Sequence, residues 1–84
     1  MNYTVVWVPS SEEELAEEWL IAPDRNAVTA ASHALDRDLG RDPHGRGIPS
    51  PGGGYMAAEL PLCIEYEVVE ADKLVRVLHV WSLV

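Results

Sequence analysis

The chain has 84 residues, enough for one domain with a modest hydrophobic core. Fourteen acidic residues against six Lys and Arg give a net charge of −8, in a composition that is 48% hydrophobic and 24% charged. This balance excludes a wholly disordered chain, and it sets the surface against nucleic acid and anionic membranes unless the few cations share one face.

A single cysteine, Cys63, excludes an internal disulfide and a thiolate metal cluster. The opening residues lack the charged and apolar blocks of a secretory signal, and no apolar run approaches ~18 residues. The expectation is a soluble cytoplasmic protein with no membrane association.

Residues 2 to 8, NYTVVWV, are aromatic and β-branched and predict a strand. Both of its faces are apolar, which places it inside a sheet or under a helix. Pro9 ends it. In SSEEELAEEWLIA, Ser11 with Glu14, or Ser10 with Glu13, makes a capping box. Leu15, Trp19 and Ala22 recur at the spacing of one buried helical stripe. Pro23 stops this helix or starts the next.

A second helix follows in DRNAVTAASHALDRDLG, with Asp24 as its cap and Gly40 at the position of a C-terminal glycine. Val28, Ala31, Leu35 and Leu39 line one face. The short connection predicts an antiparallel helical hairpin.

Residues 40 to 54, GRDPHGRGIPSPGGG, hold all six glycines and predict a long flexible loop carrying Arg41, His44 and Arg46. A strand is expected over 55 to 60. In the stretch PLCIEYEVVEADKLVRVLHVW, Leu62, Ile64, Tyr66 and Val68 alternate with Cys63, Glu65 and Glu67. A turn at Ala71-Asp72 then sets Val68 against Val75, Tyr66 against Val77, Ile64 against His79 and Leu62 against Trp81. On the other face, Glu67 opposes Arg76 and Glu65 opposes Leu78.

The order strand, two helices, loop and closing hairpin resembles the RelE/ParE toxin superfamily of bacterial type II toxin–antitoxin systems. The resemblance rests on YTVVWVPSSEEELAEEWL, APDRNAV, LGRDPHGRG and PLCIEYEVVEADKLVRVLHV, which together span nearly the whole chain. It implies a single α+β domain over residues 1 to 84: an N-terminal strand, a helical hairpin and a mostly antiparallel sheet of about three further strands. It also implies a cognate antitoxin and a part in plasmid stabilisation. The target would be the ribosome and its messenger RNA, for an mRNA interferase, or DNA gyrase. Homo-oligomerisation is a further possibility for such a chain.

Two features common in the family have no counterpart in the sequence. Tyr55 and Met56 stand where an arginine is frequent, and the residues after His79 are Val80, Trp81, Ser82, Leu83 and Val84 rather than basic ones.

For an endoribonuclease, the resemblance makes His79 the general acid or base and Arg76 the phosphate contact, with Arg41, Arg46, Tyr55 and Trp81 as binding residues. The residues themselves allow a plainer account. Arg76 can form a cross-strand ion pair with Glu67, worth roughly 0.2–1 kcal/mol, and His79 can be a hydrogen-bonded sheet residue beside Ile64. The loop cations can be a solvated surface. The three histidines lack metal-ligand spacing, so neither a metal nor a cofactor is expected. The acidic balance favours a second function class: a non-catalytic interaction module that keeps the toxin fold and presents Leu78, Val80 and Leu83 to a partner.

Overall fold

In a computed structural model, which describes residues 2 to 83, the chain begins with β1 (Thr4–Trp7). Two helices follow, α1 (Pro9–Ile21) and α2 (Arg25–Arg41), and then a single helical turn, α3 (Pro43–Arg46). Four more strands complete the chain: β2 (Ile48–Pro49), β3 (Tyr55–Glu59), β4 (Leu62–Val69) and β5 (Leu74–Ser82). They form one five-stranded sheet in the order β1-β5-β4-β3-β2. All pairings are antiparallel except β1 with β5. This is the α+β architecture that the resemblance implies, with β2 as the additional strand.

β1 lies at the edge of the sheet rather than inside it. Val5 and Trp7 pack toward the core, whereas Thr4 and Val6 are exposed. Its apolar outer face is therefore open. α1 starts without the expected capping box. Pro9 occupies the first turn after Val8, where its missing N–H costs no hydrogen bond, and the buried Ser11 hydroxyl donates to the Val8 carbonyl at 2.9 Å. Asp24 caps α2 as predicted, accepting from the Ala27 N–H at 3.1 Å. Gly40 is inside α2 rather than beyond it, and the helix runs on to Arg41.

The segment 40 to 54 is more ordered than its glycines and prolines suggest. Asp42 ends α2, accepts the Gly45 N–H at 3.0 Å to start α3, and so turns the chain toward β2. Only Ser50 to Gly54 makes a turn, with Gly53 at φ +97°.

Val28, Ala31, Leu35 and Leu39 of α2 pack on Ala57, Leu62, Ile64, Tyr66, Val75, Val77 and Val80 of the sheet. The predicted helical stripe is thus the core stripe. Burying each of the larger side chains stabilises the fold by about 1.5–3 kcal/mol.

The β4–β5 hairpin turns at Ala71-Asp72, as a single 3-10 turn with Lys73 in the left-handed region. Its register follows the expectation as far as Tyr66 opposite Val77. A β-bulge then leaves Leu78 out of the ladder. Glu65 opposes His79, Ile64 opposes Val80, Cys63 opposes Trp81 and Leu62 opposes Ser82. The expected pairings of Ile64 with His79, Leu62 with Trp81 and Glu65 with Leu78 are therefore corrected. One extra residue reverses the facing of everything after it. Val80 enters the core, and His79 leaves it.

Both outer edges of the sheet are closed by side chains where the short edge strands run out. Val8 donates its N–H to Val77, the last backbone contact beside β1, and the Glu14 carboxylate of α1 then accepts the Val80 N–H at 3.2 Å. At the opposite edge, beyond β2, the Arg46 guanidinium donates to the Ala58 carbonyl at 2.6 Å. Such covers blunt strand-to-strand aggregation.

Candidate functional site

One face of the sheet is covered by helices, and the other carries the side chains that alternate with the core. Strand alternation and register put Arg76, His79 and Trp81 of β5 on this open face, beside Glu65 and Glu67 of β4. Arg76 and His79 are three residues apart and would point to opposite faces of a regular strand. The bulge at Leu78 brings them to the same one.

The electrostatics of this face are acidic. Arg76 is paired with Glu67 at 2.5 Å, both half-exposed. His79 is exposed, with Nδ1 3.7 Å from Glu14. Glu65, opposite His79, accepts the Ser50 hydroxyl at 2.9 Å. Three carboxylates therefore surround one guanidinium and one imidazole. An incoming phosphate must displace Glu67 from Arg76 before it can reach a free charge. Cys63, opposite Trp81 on this face, is buried, and burial pushes its thiol pKa up, which disfavours the nucleophilic thiolate.

The other predicted binding residues lie apart from this face. Arg46 is held by Asp38 at 3.1 Å, Glu59 at 3.0 Å and the Ala58 carbonyl. It is a clamp between α2, α3 and β3 rather than a mobile charge. Arg41 is exposed in the last turn of α2, where its charge suits the negative end of the helix dipole. Tyr55 faces the helices, and its ring stacks on Tyr66 at 5.4 Å between centroids.

A second cluster of polar groups escaped the sequence reading. His44 on α3 links two side chains from distant parts of the chain: its Nδ1 is 2.8 Å from the Tyr55 hydroxyl and its Nε2 is 2.8 Å from the Glu70 carboxylate. With the proton on Nε2, a neutral imidazole donates to Glu70 and accepts from Tyr55. Glu70 also accepts from the Tyr3 hydroxyl at 3.0 Å and from Lys73. These donors, Lys73 first, then His44 and Tyr3, hold the Glu70 carboxyl down at about 2.

Below them Tyr66 is fully buried and donates to the Pro43 carbonyl at 2.6 Å. Burial, with smaller contributions from its neighbours, pushes its hydroxyl up to about 12. Gly47 makes room for it: a Cβ there would sit 2.4 Å from the Tyr66 hydroxyl and 2.6 Å from the Met56 carbonyl. No spacing in the sequence announces this cluster, because Tyr3 and Glu70 are 67 residues apart.

Among the described residues, no three His, Cys, Asp or Glu side chains gather as a metal-holding group. Among the same residues, no helix is long and apolar enough to cross a membrane.

Comparison with solved structures finds the same fold in a chain of the RelBE2 toxin–antitoxin complex from Mycobacterium tuberculosis, with a TM-score of 0.80. The two are 20% identical, and the match covers 98% of this chain and 99% of that one. No family model and no curated protein matches the sequence.

Proposed function

We propose that the chain is the toxin component of a type II toxin–antitoxin pair, of the RelE/ParE type. The observation that carries this reading is the whole-length match in fold to a chain of a toxin–antitoxin complex, with neither chain leaving an unmatched domain. The cognate partner is an antitoxin.

The open sheet face is the candidate site of action. If the chain cuts messenger RNA, the 2′-hydroxyl attacks the adjacent phosphate as His79 takes its proton, the bond from phosphorus to the 5′-oxygen breaks, and the products are a 2′,3′-cyclic phosphate and a 5′-hydroxyl protonated by His79 or water, while Arg76 stabilises the charge that builds on the phosphate oxygens. Glu67 must then release Arg76 on binding. Arg46, engaged three times over, is better suited to a structural role than to the reaction.

A second reading is favoured by the pairing of Arg76 with Glu67 and the net charge of −8: a non-catalytic module that keeps the toxin fold. Its binding surface is not the set first expected, because Val80 is buried in the core.

Inducing the wild-type, His79→Ala and Arg76→Ala chains in a bacterial host, with growth and messenger integrity followed, tests both readings. Cut messages with wild type and intact ones with either variant support catalysis on the sheet face. Arrest with intact messages directs attention to gyrase, through a supercoiling assay. Unhindered growth with soluble wild-type chain supports the module.

A further inference from the structure

One side chain of α1 reaches past the edge of the sheet to the open face. β1 ends at Trp7, opposite Val77, so the rest of β5 has no strand on that side and α1 packs along it instead. Of the five glutamates on α1, Glu12, Glu13, Glu17 and Glu18 make no ion pair among the described residues. Glu14 meets β5 twice.

A single oxygen of Glu14 makes both contacts. Oε1 accepts the Val80 N–H at 3.2 Å and lies 3.7 Å from Nδ1 of His79. The backbone bond holds that oxygen still, so pairing with His79 does not have to order a free carboxylate. The bulge that leaves Leu78 out of the ladder supplies the other half of the arrangement, because it turns His79 out of the core and onto the open face. Bulges re-aim side chains in this way beside active sites. Glu65 stands opposite His79 on β4, but its carboxylate is directed to the Ser50 hydroxyl at 2.9 Å. Glu14 is therefore the carboxylate in ion-pair range of His79 among the described residues.

We propose that Glu14 is a positioning residue for His79: its carboxylate keeps the imidazole proton on Nδ1 and leaves the lone pair of Nε2 to take a proton. Which ring nitrogen is protonated is set by the partner of the other one. An unconstrained neutral imidazole favours the proton on Nε2, the form in which that nitrogen cannot act as a base. The separation of 3.7 Å is an ion-pair contact, of the kind that tightens to a hydrogen bond when substrate binds.

The catalytic consequence rests on the ribonuclease reading. There Nε2 takes the proton of the 2′-hydroxyl as the new oxygen–phosphorus bond forms, and Glu14 stabilises the resulting imidazolium. The proton then passes to the 5′-oxygen, directly or through water, as the bond from phosphorus to that oxygen breaks. Glu14 remains a carboxylate throughout.

The test uses the full chain with ¹⁵N-labelled histidine, at a pH where the imidazole is neutral. Two-bond ¹H–¹⁵N correlation reads both ring nitrogens of His79, assigned against His79→Gln. The wild type is expected to carry the proton on Nδ1. Glu14→Ala should move it to Nε2, whereas Glu17→Ala, which changes the net charge equally about one turn away, should leave it on Nδ1. The wild-type reading needs no variant, so the loss of the Val80 bond in Glu14→Ala cannot mask the answer. On purified ribosomes carrying a defined message, Glu14→Ala should slow single-turnover cleavage about 10- to 100-fold, a part of the roughly 10²–10⁴ that a positioned base supplies, with little change in the half-saturating ribosome concentration.

A proton on Nε2 in the wild type, or the same tautomer in wild type and Glu14→Ala, would overturn the proposal. So would equal cleavage by the two. A wild type that cuts no message would instead contradict the ribonuclease reading, and the tautomers would still decide whether Glu14 positions His79.

Discussion

The two ends of the molecule handle polar groups in opposite ways. Around Tyr66 and Glu70 every named group has an internal partner: hydroxyl to carbonyl, imidazole to carboxylate and phenol, ammonium to carboxylate. Around α1, four carboxylates have no cation among the described residues, and three large apolar residues face outward. The first region is complete in the isolated chain. The second leaves apolar side chains in contact with water. A small domain with a limited core keeps such a surface only at some cost in solubility, which is why it points to binding rather than to folding.

Substitutions should separate the two regions sharply. The largest loss is expected at Tyr66: Tyr66→Ala removes a fully buried ring and should cost about 3–5 kcal/mol, enough to unfold much of the population in a urea titration. Gly47→Ala, which forces a methyl group against the Tyr66 hydroxyl and the Met56 carbonyl, should cost about 1–3 kcal/mol in the same titration. If it is neutral, the tight packing described here is wrong.

Alkaline pH comes next in size. Tyr66 stays protonated in the folded chain up to about 12, whereas an unfolded tyrosine ionises near 10. Its contribution is fully present below pH ~10 and is lost as pH rises toward ~12, by on the order of 2 kcal/mol. Tyr66→Phe should remove most of that alkaline step.

Glu70 has the opposite sign. Its carboxyl is depressed to about 2, so its contribution is present above the ordinary carboxylate range and fades as pH falls through that range toward about 2. Glu70→Gln should lower the Tm by a small amount at pH 7 and leave it unchanged at pH 2.

The smallest effect on stability belongs to the other region. Leu20→Glu, at an exposed position, should change stability by less than about 0.5 kcal/mol in the urea titration. A large loss of stability there would make Leu20 part of the fold and erase the contrast.

Much of the fold was legible because it rests on short-range periodicity. The α2 stripe of Val28, Ala31, Leu35 and Leu39, the Asp24 cap, the turn at Ala71-Asp72 and the alternation along β4 are all local patterns. The bulge at Leu78 was not legible, since apolar residues stand on both sides of it and either register buries some of them. That single residue decided the environment of His79, so the site reading turned on the least visible feature of the hairpin. The edge position of β1 was hidden because its apolar outer face looks like that of a central strand. The order within 40 to 54 was hidden because the Asp42 bond to Gly45 is one short local contact rather than a repeating pattern, and Gly47 acts through its close approach to the distant Tyr66 and Met56.

The proposed role is that of a toxin neutralised by a cognate partner. The most direct measurement is growth after induction of the wild-type chain, alone and together with the product of the neighbouring open reading frame. The prediction is arrest with the chain alone and restored growth when both are made. Unchanged growth in both cultures, with the folded chain accumulating, would contradict it.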